Sequence, residues 1–303
     1  MSTVTLDALP NARVLRWPLI TDLSSLESDH AESFHQSHSP LFTLPRELRD
    51  VIYDYALDCS RPAPPSPPFA GPRIFGPEMS RIAYSTTLPW SSVFPLLHSC
   101  RDIRREALES IAQSAKKKYQ NTELDIMAKG FQLHPTWTRL PPLLDPKTLV
   151  DVTIHFRVFS PEGFRGNDGW PRQPGVIFRR LLSLLNQFLH CGPGFSSQQV
   201  GLQLSINKLT IKLSNLDIYT PRMFPTAVYE TVRMCKSLAL RGDARQYLRT
   251  IQVSVDSKDM AIPGHEGREW DLEVSDMPDE DMVRFWREAG FHLEPEATKF
   301  AVQ

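Results

Sequence analysis

No two cysteines of this 303-residue chain are spaced as Cys-x-x-Cys: the four, Cys59, Cys100, Cys191 and Cys235, lie far apart. That spacing offers neither a thiolate metal motif nor a disulfide framework, so a reducing compartment, cytoplasmic or nuclear, is expected. No apolar run approaches the roughly 18 residues of a membrane-crossing helix. The opening "MSTVTLDALPNARVLRWPLI" lacks the apolar stretch and small-residue cleavage site of a secretory signal. Neither charge dominates, since 34 Lys and Arg stand against 35 Asp and Glu for a net charge of -1. Such a balance argues against coating nucleic acid or an anionic membrane, and neither partner is expected.

Catalytic signatures are missing as well. There is no Gly-x-Ser-x-Gly elbow. Gly163, Gly166 and Gly169 in "GFRGNDG" recur at intervals of three, which fits neither a phosphate loop nor a dinucleotide fingerprint. His30, His35 and His38 lie in a polar stretch without a cysteine or carboxylate pattern, so no metal site is expected. Lys116 to Lys118, at the end of a helical pattern, oppose its dipole and stay solvated. No catalytic residue, metal or cofactor follows from the sequence.

Proline is plentiful, 26 residues, gathered between positions 62 and 95 and again around 135 to 146. Residues 1–40 are polar and aperiodic and read as a disordered leader. After them "LPRELRDVIYDYAL" reads as a helix, with Thr43 as cap, Pro45 in the first turn and Glu47 near the positive end of the dipole. Leu48, Val51, Ile52, Tyr55 and Ala56 form an apolar stripe on it. A helix of about a dozen residues is marginal alone and must bury that stripe against something. Residues 58–90, with "SRPAPPSPPFAGPR", read as an exposed extended loop. A second helix is predicted from Ser91 or Ser92. Its inner face carries Val93, Leu96, Leu97, Cys100, Ile103, Ala107 and Ile111, and its outer face Arg101, Asp102, Arg104, Arg105 and Glu106. Arg49 and Glu47 are placed to pair with Arg101 or Glu106 across the two helices.

No element is assigned between Tyr119 and Thr148. Beyond it, strand and helix patterns alternate. "LVDVTIHFRV" puts Val150, Val152, Ile154, Phe156 and Val158 on one face. "VIFRRLLSLLNQFLH" is a helix, and "LQLSINKLTIKL" a strand whose apolar parity switches at Asn207-Lys208, which predicts a bulge there. A helix over about 226–240, the strand "LRTIQVSV" and a last helix "PDEDMVRFWREAGF" follow, with "GHEGREWD" (His265, Glu266) read as loop. This order favours a mostly parallel sheet. Its strands alternate in polarity, so helices are expected on one face only. The other face would present His155, Arg157, Thr210, Lys212, Gln252 and Ser254 to water or to a ligand.

Two segments carry a resemblance. "LPRELRDVIYDYAL", with Leu44, Pro45, Glu47, Arg49, Ile52 and Tyr53, resembles the opening helix of fungal F-box-like proteins. "LLHSCRDIRREAL", with Cys100, Arg101, Ile103, Glu106 and Ala107, is similar to the helix that pairs with it in that family. The likeness covers roughly residues 41–112. It departs from the family in the long Pro-rich insertion between the two halves.

What the resemblance implies is a non-enzymatic interaction protein that packs onto a Skp1-type adaptor of a cullin ubiquitin ligase and recruits a protein substrate. The expected fold is α+β: an F-box-like helical module over 41–120, with a Pro-rich insertion at 60–90, then an α/β recognition domain over 145–303. In that domain a small, mostly parallel sheet is covered by helices on one face. Leu44, Pro45, Leu48, Val51, Ile52 and Tyr55 are the adaptor-binding candidates. His155, Arg157, Thr210, Lys212 and Gln252 are the substrate-face candidates. Two alternatives stand beside this reading. One is a single-domain fungal protein with no ligase link, its opening helix packed into its own core. The other is an enzyme working at the open sheet face with His155 or His265.

Overall fold

The computed structural model describes residues 40–57, 60–75, 81–85, 96, 97, 99–115, 121–140, 149–160, 176–191, 195, 205–215, 224–240, 244, 245, 247–255, 269–274, 280 and 284. In chain order the elements are α1 (Arg46–Leu57), β1 (Arg73–Phe75), β2 (Ala83–Ser85), α2 (Arg101–Ala115), β3 (Asn121–Lys129), β4 (Gln132–Arg139), β5 (Leu149–Val158), α3 (Val176–Cys191), β6 (Ser205–Asn215), α4 (Phe224–Ala239), β7 (Leu248–Val255) and β8 (Glu269–Glu273). The expected leader and its histidines, Lys116 to Lys118, His265 and nearly all of the last predicted helix lie outside the described residues. Among the described residues no helix is long and apolar enough to cross a membrane.

Period-two alternation builds the centre. Val150, Val152, Ile154, Phe156 and Val158 of β5 are all buried, while the residues between them are half-buried. The six-stranded sheet runs β4-β3-β5-β6-β7-β8. Its four inner strands are parallel, and the edge strands β4 and β8 are antiparallel to their neighbours. The crossovers β5–α3–β6 and β6–α4–β7 step in one direction, so their common hand puts both helices on one face. Leu182, Leu185 and Leu189 of α3 and Leu238 of α4 meet Ile206 and Leu209 of β6 around an apolar cavity of about 20 Å³. The fold is thus α+β, as expected, and the sheet is mixed.

The predicted bulge is present. Val150 pairs with Ile206 and Asp151 with Lys208, so Asn207 is skipped. This extra residue turns both Ile206 and Leu209 toward the helices despite their odd spacing.

The second helix, predicted from Ser91 or Ser92, begins at Arg101, after a turn at Ser99. Three further expectations need correction. First, the stretch left unassigned holds the β3–β4 hairpin. Gly130 takes the positive φ, 55°, needed at the first position of its two-residue loop. Pro135 stands opposite Ile126 inside β4, which is tolerated because β4 is an edge strand. Second, Glu269–Glu273, whose first three residues read as loop in the sequence, forms β8.

Third, the Pro-rich segment is more than a loop. Ser60 bridges Arg139 at one end of β4, and Ile82 bridges Leu133 at the other. Between these anchors run a short helical turn (Pro67–Phe69) and β1, and β2, which pairs with β1, follows directly after Ile82. Its prolines cannot extend a ladder, yet its arginines reach into the sheet. Arg61 donates to the Trp137 carbonyl (2.7 Å), and Arg73 donates to the Pro135 carbonyl and to Thr136 Oγ1. The segment is a strap that covers the β4 edge and part of the second sheet face.

The helix pair joins the same core. Tyr53 and Leu57 of α1 and Ala107 and Ile111 of α2 are fully buried within one hydrophobic cluster that includes the sheet.

Candidate functional site

α1 is amphipathic in the reverse of the usual sense. The side it turns to α2 is mainly polar and charged, and the stripe it turns away is apolar. Leu48 is 51% exposed, Val51 65%, Ile52 42% and Tyr55 87%. Of the other adaptor-binding candidates, Pro45 is exposed and Leu44 half-buried. Full burial of an aliphatic side chain is worth about 1.5–3 kcal/mol relative to exposure. Three such side chains and the ring of Tyr55 are therefore a large apolar surface left largely unused by the fold.

The inner side explains how the helix holds this orientation. Glu106 of α2, expected on an outer face, is only 5% exposed. Arg49 grips its carboxylate with two prongs, Nε to Oε2 at 2.9 Å and Nη2 to Oε1 at 2.7 Å. This is the cross-helix pair that the sequence suggested. The Tyr53 hydroxyl donates to the same carboxylate at 2.9 Å. Arg46 adds a contact at 3.4 Å and reaches Glu109 at 3.2 Å and Asp50 at 2.6 Å. Arg49 also donates to the Leu44 carbonyl (2.6 Å) and lies over the Phe42 ring. These contacts fix the segment leading into the helix, where Thr43 donates to the Pro40 carbonyl (2.6 Å).

The donors set the electrostatics. The hydrogen bond from Arg49 holds the Glu106 carboxyl below the usual range against the opposing effect of burial. Burial, and then the bond to Glu106, push the Tyr53 phenol up to about 12. Both groups keep the charge state that the cluster needs throughout the neutral range.

On the sheet, register places the substrate-face candidates in rows. His155 lies between Asp125 and Lys212, and Thr210 lies between Thr153 and Gln252. The structure divides the set. Arg157 is occupied, pairing through Nε and Nη2 with the fully buried Asp125 at 2.5 and 2.6 Å and donating to the Pro64 carbonyl of the strap at 2.5 Å. His155 and Thr210 are half-buried, Lys212 is exposed, and Gln252 donates to Asp271 at 3.0 Å. Burial, then Lys212, lowers the His155 pKa, so the ring is neutral at pH 7. The open part of the face is the β5–β6–β7 portion, with the strap along one side.

Sequence reasoning missed Tyr53 as the inward anchor of α1, and also Asp125, Arg61 and Arg73. An acid inside the apolar run "LDIMA" was the available signal for Asp125. Among the described residues no group of three His, Cys, Asp or Glu side chains is placed to hold a metal. Comparison with protein-family models, curated proteins and solved structures returned no match to this chain.

Proposed function

We propose that the chain is a non-enzymatic, F-box-like interaction protein that docks through the outer face of α1 on a Skp1-type adaptor of a cullin ubiquitin ligase. Work in the cytoplasm or nucleus goes with that role. One observation carries the reading: Leu48, Val51, Ile52 and Tyr55 project outward together, while Tyr53, Leu57 and the Glu106 cluster hold the helix from behind. An apolar patch displayed on a rigid support is what a helix-docking partner needs. In this reading the open sheet face, with His155, Thr210, Lys212 and Gln252, meets the protein substrate. A second reading is favoured by the core shared between the helix pair and the sheet: a single domain whose α1 face serves a partner outside any ligase.

The test is co-elution of the full chain with a Skp1-type adaptor at micromolar concentration. The double change Ile52→Asp and Tyr55→Asp is expected to abolish the complex. Both sites are exposed, so folding stability should move by only about 0.5 kcal/mol per substitution. Absence of a complex with the wild-type chain would remove the adaptor and leave the second reading.

A further inference from the structure

Two fastenings of the strap meet β4 on either side of His134. Arg73 lays its guanidinium on the Pro135 carbonyl through Nη1 and on Thr136 Oγ1 through Nη2. Ile82 bridges Leu133, whose N–H donates to the Arg81 carbonyl at 3.4 Å. Leu133 and Trp137 point into the hydrophobic core, so alternation sets His134 on the side of Thr136, which the strap covers. The residue is half-buried, yet its Nδ1 is shut off from water without a hydrogen-bond partner.

The charges facing this ring are cations or an acid already held. His134 stands opposite Met127 of β3, and Met127 opposite Arg157 of β5. Lys129 and Asp125 flank Met127 on the same side of β3. Both oxygens of Asp125 accept from Arg157, at 2.5 and 2.6 Å. Arg73 comes from the strap, and Arg81 adjoins the bridge at Ile82. Burial first, then Arg73 and Lys129, lower the His134 pKa to about 4, so the ring is neutral at pH 7. A proton reaching Nδ1 enters a site with cations around it and no acceptor, at the point where the strap is fastened.

We propose that His134 makes the strap acid-releasable: protonation of its ring lifts Arg73 and the strap from β4 and uncovers the β4 edge with the sheet face beside it. The released form hydrates the imidazolium and separates it from Arg73, which the closed form cannot do. Asp125 pulls the other way, because burial raises its pKa and acid therefore favours the closed strap there. A variant that lacks the imidazole separates the two. The fastening lies on β4 and the strap, so the inference stands whether or not the adaptor docks on α1.

Hydrogen exchange of the full chain tests this, converted to protection factors so that the intrinsic pH dependence of exchange drops out. Two amides read the strap: Arg61 N–H on the Thr138 carbonyl and Leu133 N–H on the Arg81 carbonyl. The His134 pKa is about 4 with the strap closed and returns to 6.5 once it opens. Acidification from about pH 7.5 to about pH 5 should therefore open the strap about thirtyfold more in the wild type than in His134→Gln. Amides of β6 and β7 should keep their protection. His134→Lys, charged at both pH values, should loosen the strap amides already at neutral pH. Titration of the His134 ring by NMR in the wild type keeps the test decisive if a variant fails to fold, with a midpoint well below 6.5 expected. Equal acid responses in the wild type and His134→Gln, a ring that titrates near 6.5, or equal loss of protection in the strap and in β6 would each overturn the proposal.

Discussion

Glu106 and Asp125 each hold an arginine in a two-pronged pair, yet their surroundings drive them in opposite directions. Glu106 sits in the seam between α1 and α2, where Arg49, Tyr53 and Arg46 all point at it, and its pKa falls. Asp125 sits under the strap with no exposure at all, and burial raises its pKa although Arg157 lies at 2.5 Å. The first carboxylate is governed by how many donors it has, the second by how far it is from water. The two seams also do opposite things for the surface. One sequesters the charges of α1 and leaves its apolar stripe outside, while the other draws a strap over a polar sheet face and closes part of it.

The largest expected effect comes from the deeper seam. Asp125→Ala strands the Arg157 guanidinium and should cost about 3–5 kcal/mol in urea denaturation. The double change Asp125→Leu with Arg157→Met should recover most of that loss, because the penalty is the unpaired charge. A smaller loss, about 2 kcal/mol, is expected for Glu106→Ala at the shallower seam. If Glu106→Ala proved the costlier of the two single changes, depth would not be what separates the seams. Smallest is Tyr53→Phe, about 1 kcal/mol, with adaptor co-elution retained, since the outer stripe is untouched.

Stability against pH sharpens the same contrast. The folded pKa of Glu106 lies below its unfolded value of about 4.3, so its contribution is complete above that pH and is lost as pH falls through the folded value. Asp125 is raised above its unfolded value of about 3.9, so its contribution is complete below that pH and is lost as pH rises through the folded value. Glu106→Gln should therefore flatten the rise of stability with pH across the acid range, and Asp125→Asn should steepen it. Two profiles shifted in the same direction would refute the opposition.

Much of the architecture was legible because period and parity report burial directly. The alternation of "LVDVTIHFRV" placed β5 and its inner face, and the parity switch in "LQLSINKLTIKL" located the bulge at Asn207. β4 was hidden because proline normally argues against a strand, and only its edge position makes Pro135 acceptable. The α1 stripe was visible as a pattern, but its direction was not. Period alone does not tell an inward apolar face from an outward one, and the decision rests on Arg49 and Tyr53 finding Glu106, 57 and 53 residues away. The strap's arginines were unreadable for the same reason, since their acceptors are distant backbone carbonyls and one threonine hydroxyl, none of which carries a sequence signal.

The strap also imposes an order in time. Arg157 bonds to the Pro64 carbonyl, 93 residues earlier, and to Asp125, 32 residues earlier. At synthesis rates of about 5–20 residues per second, Pro64 leaves the ribosome roughly 5–20 seconds before Arg157 exists. Through that interval the strap has no guanidinium to settle on, and for the last 32 residues of it Asp125 waits without a cation from β5. A nascent chain shorter than this can make the β3–β4 hairpin, but it cannot shut the seam. A strand from the middle of the chain thus supplies the fastening for one of the first segments made.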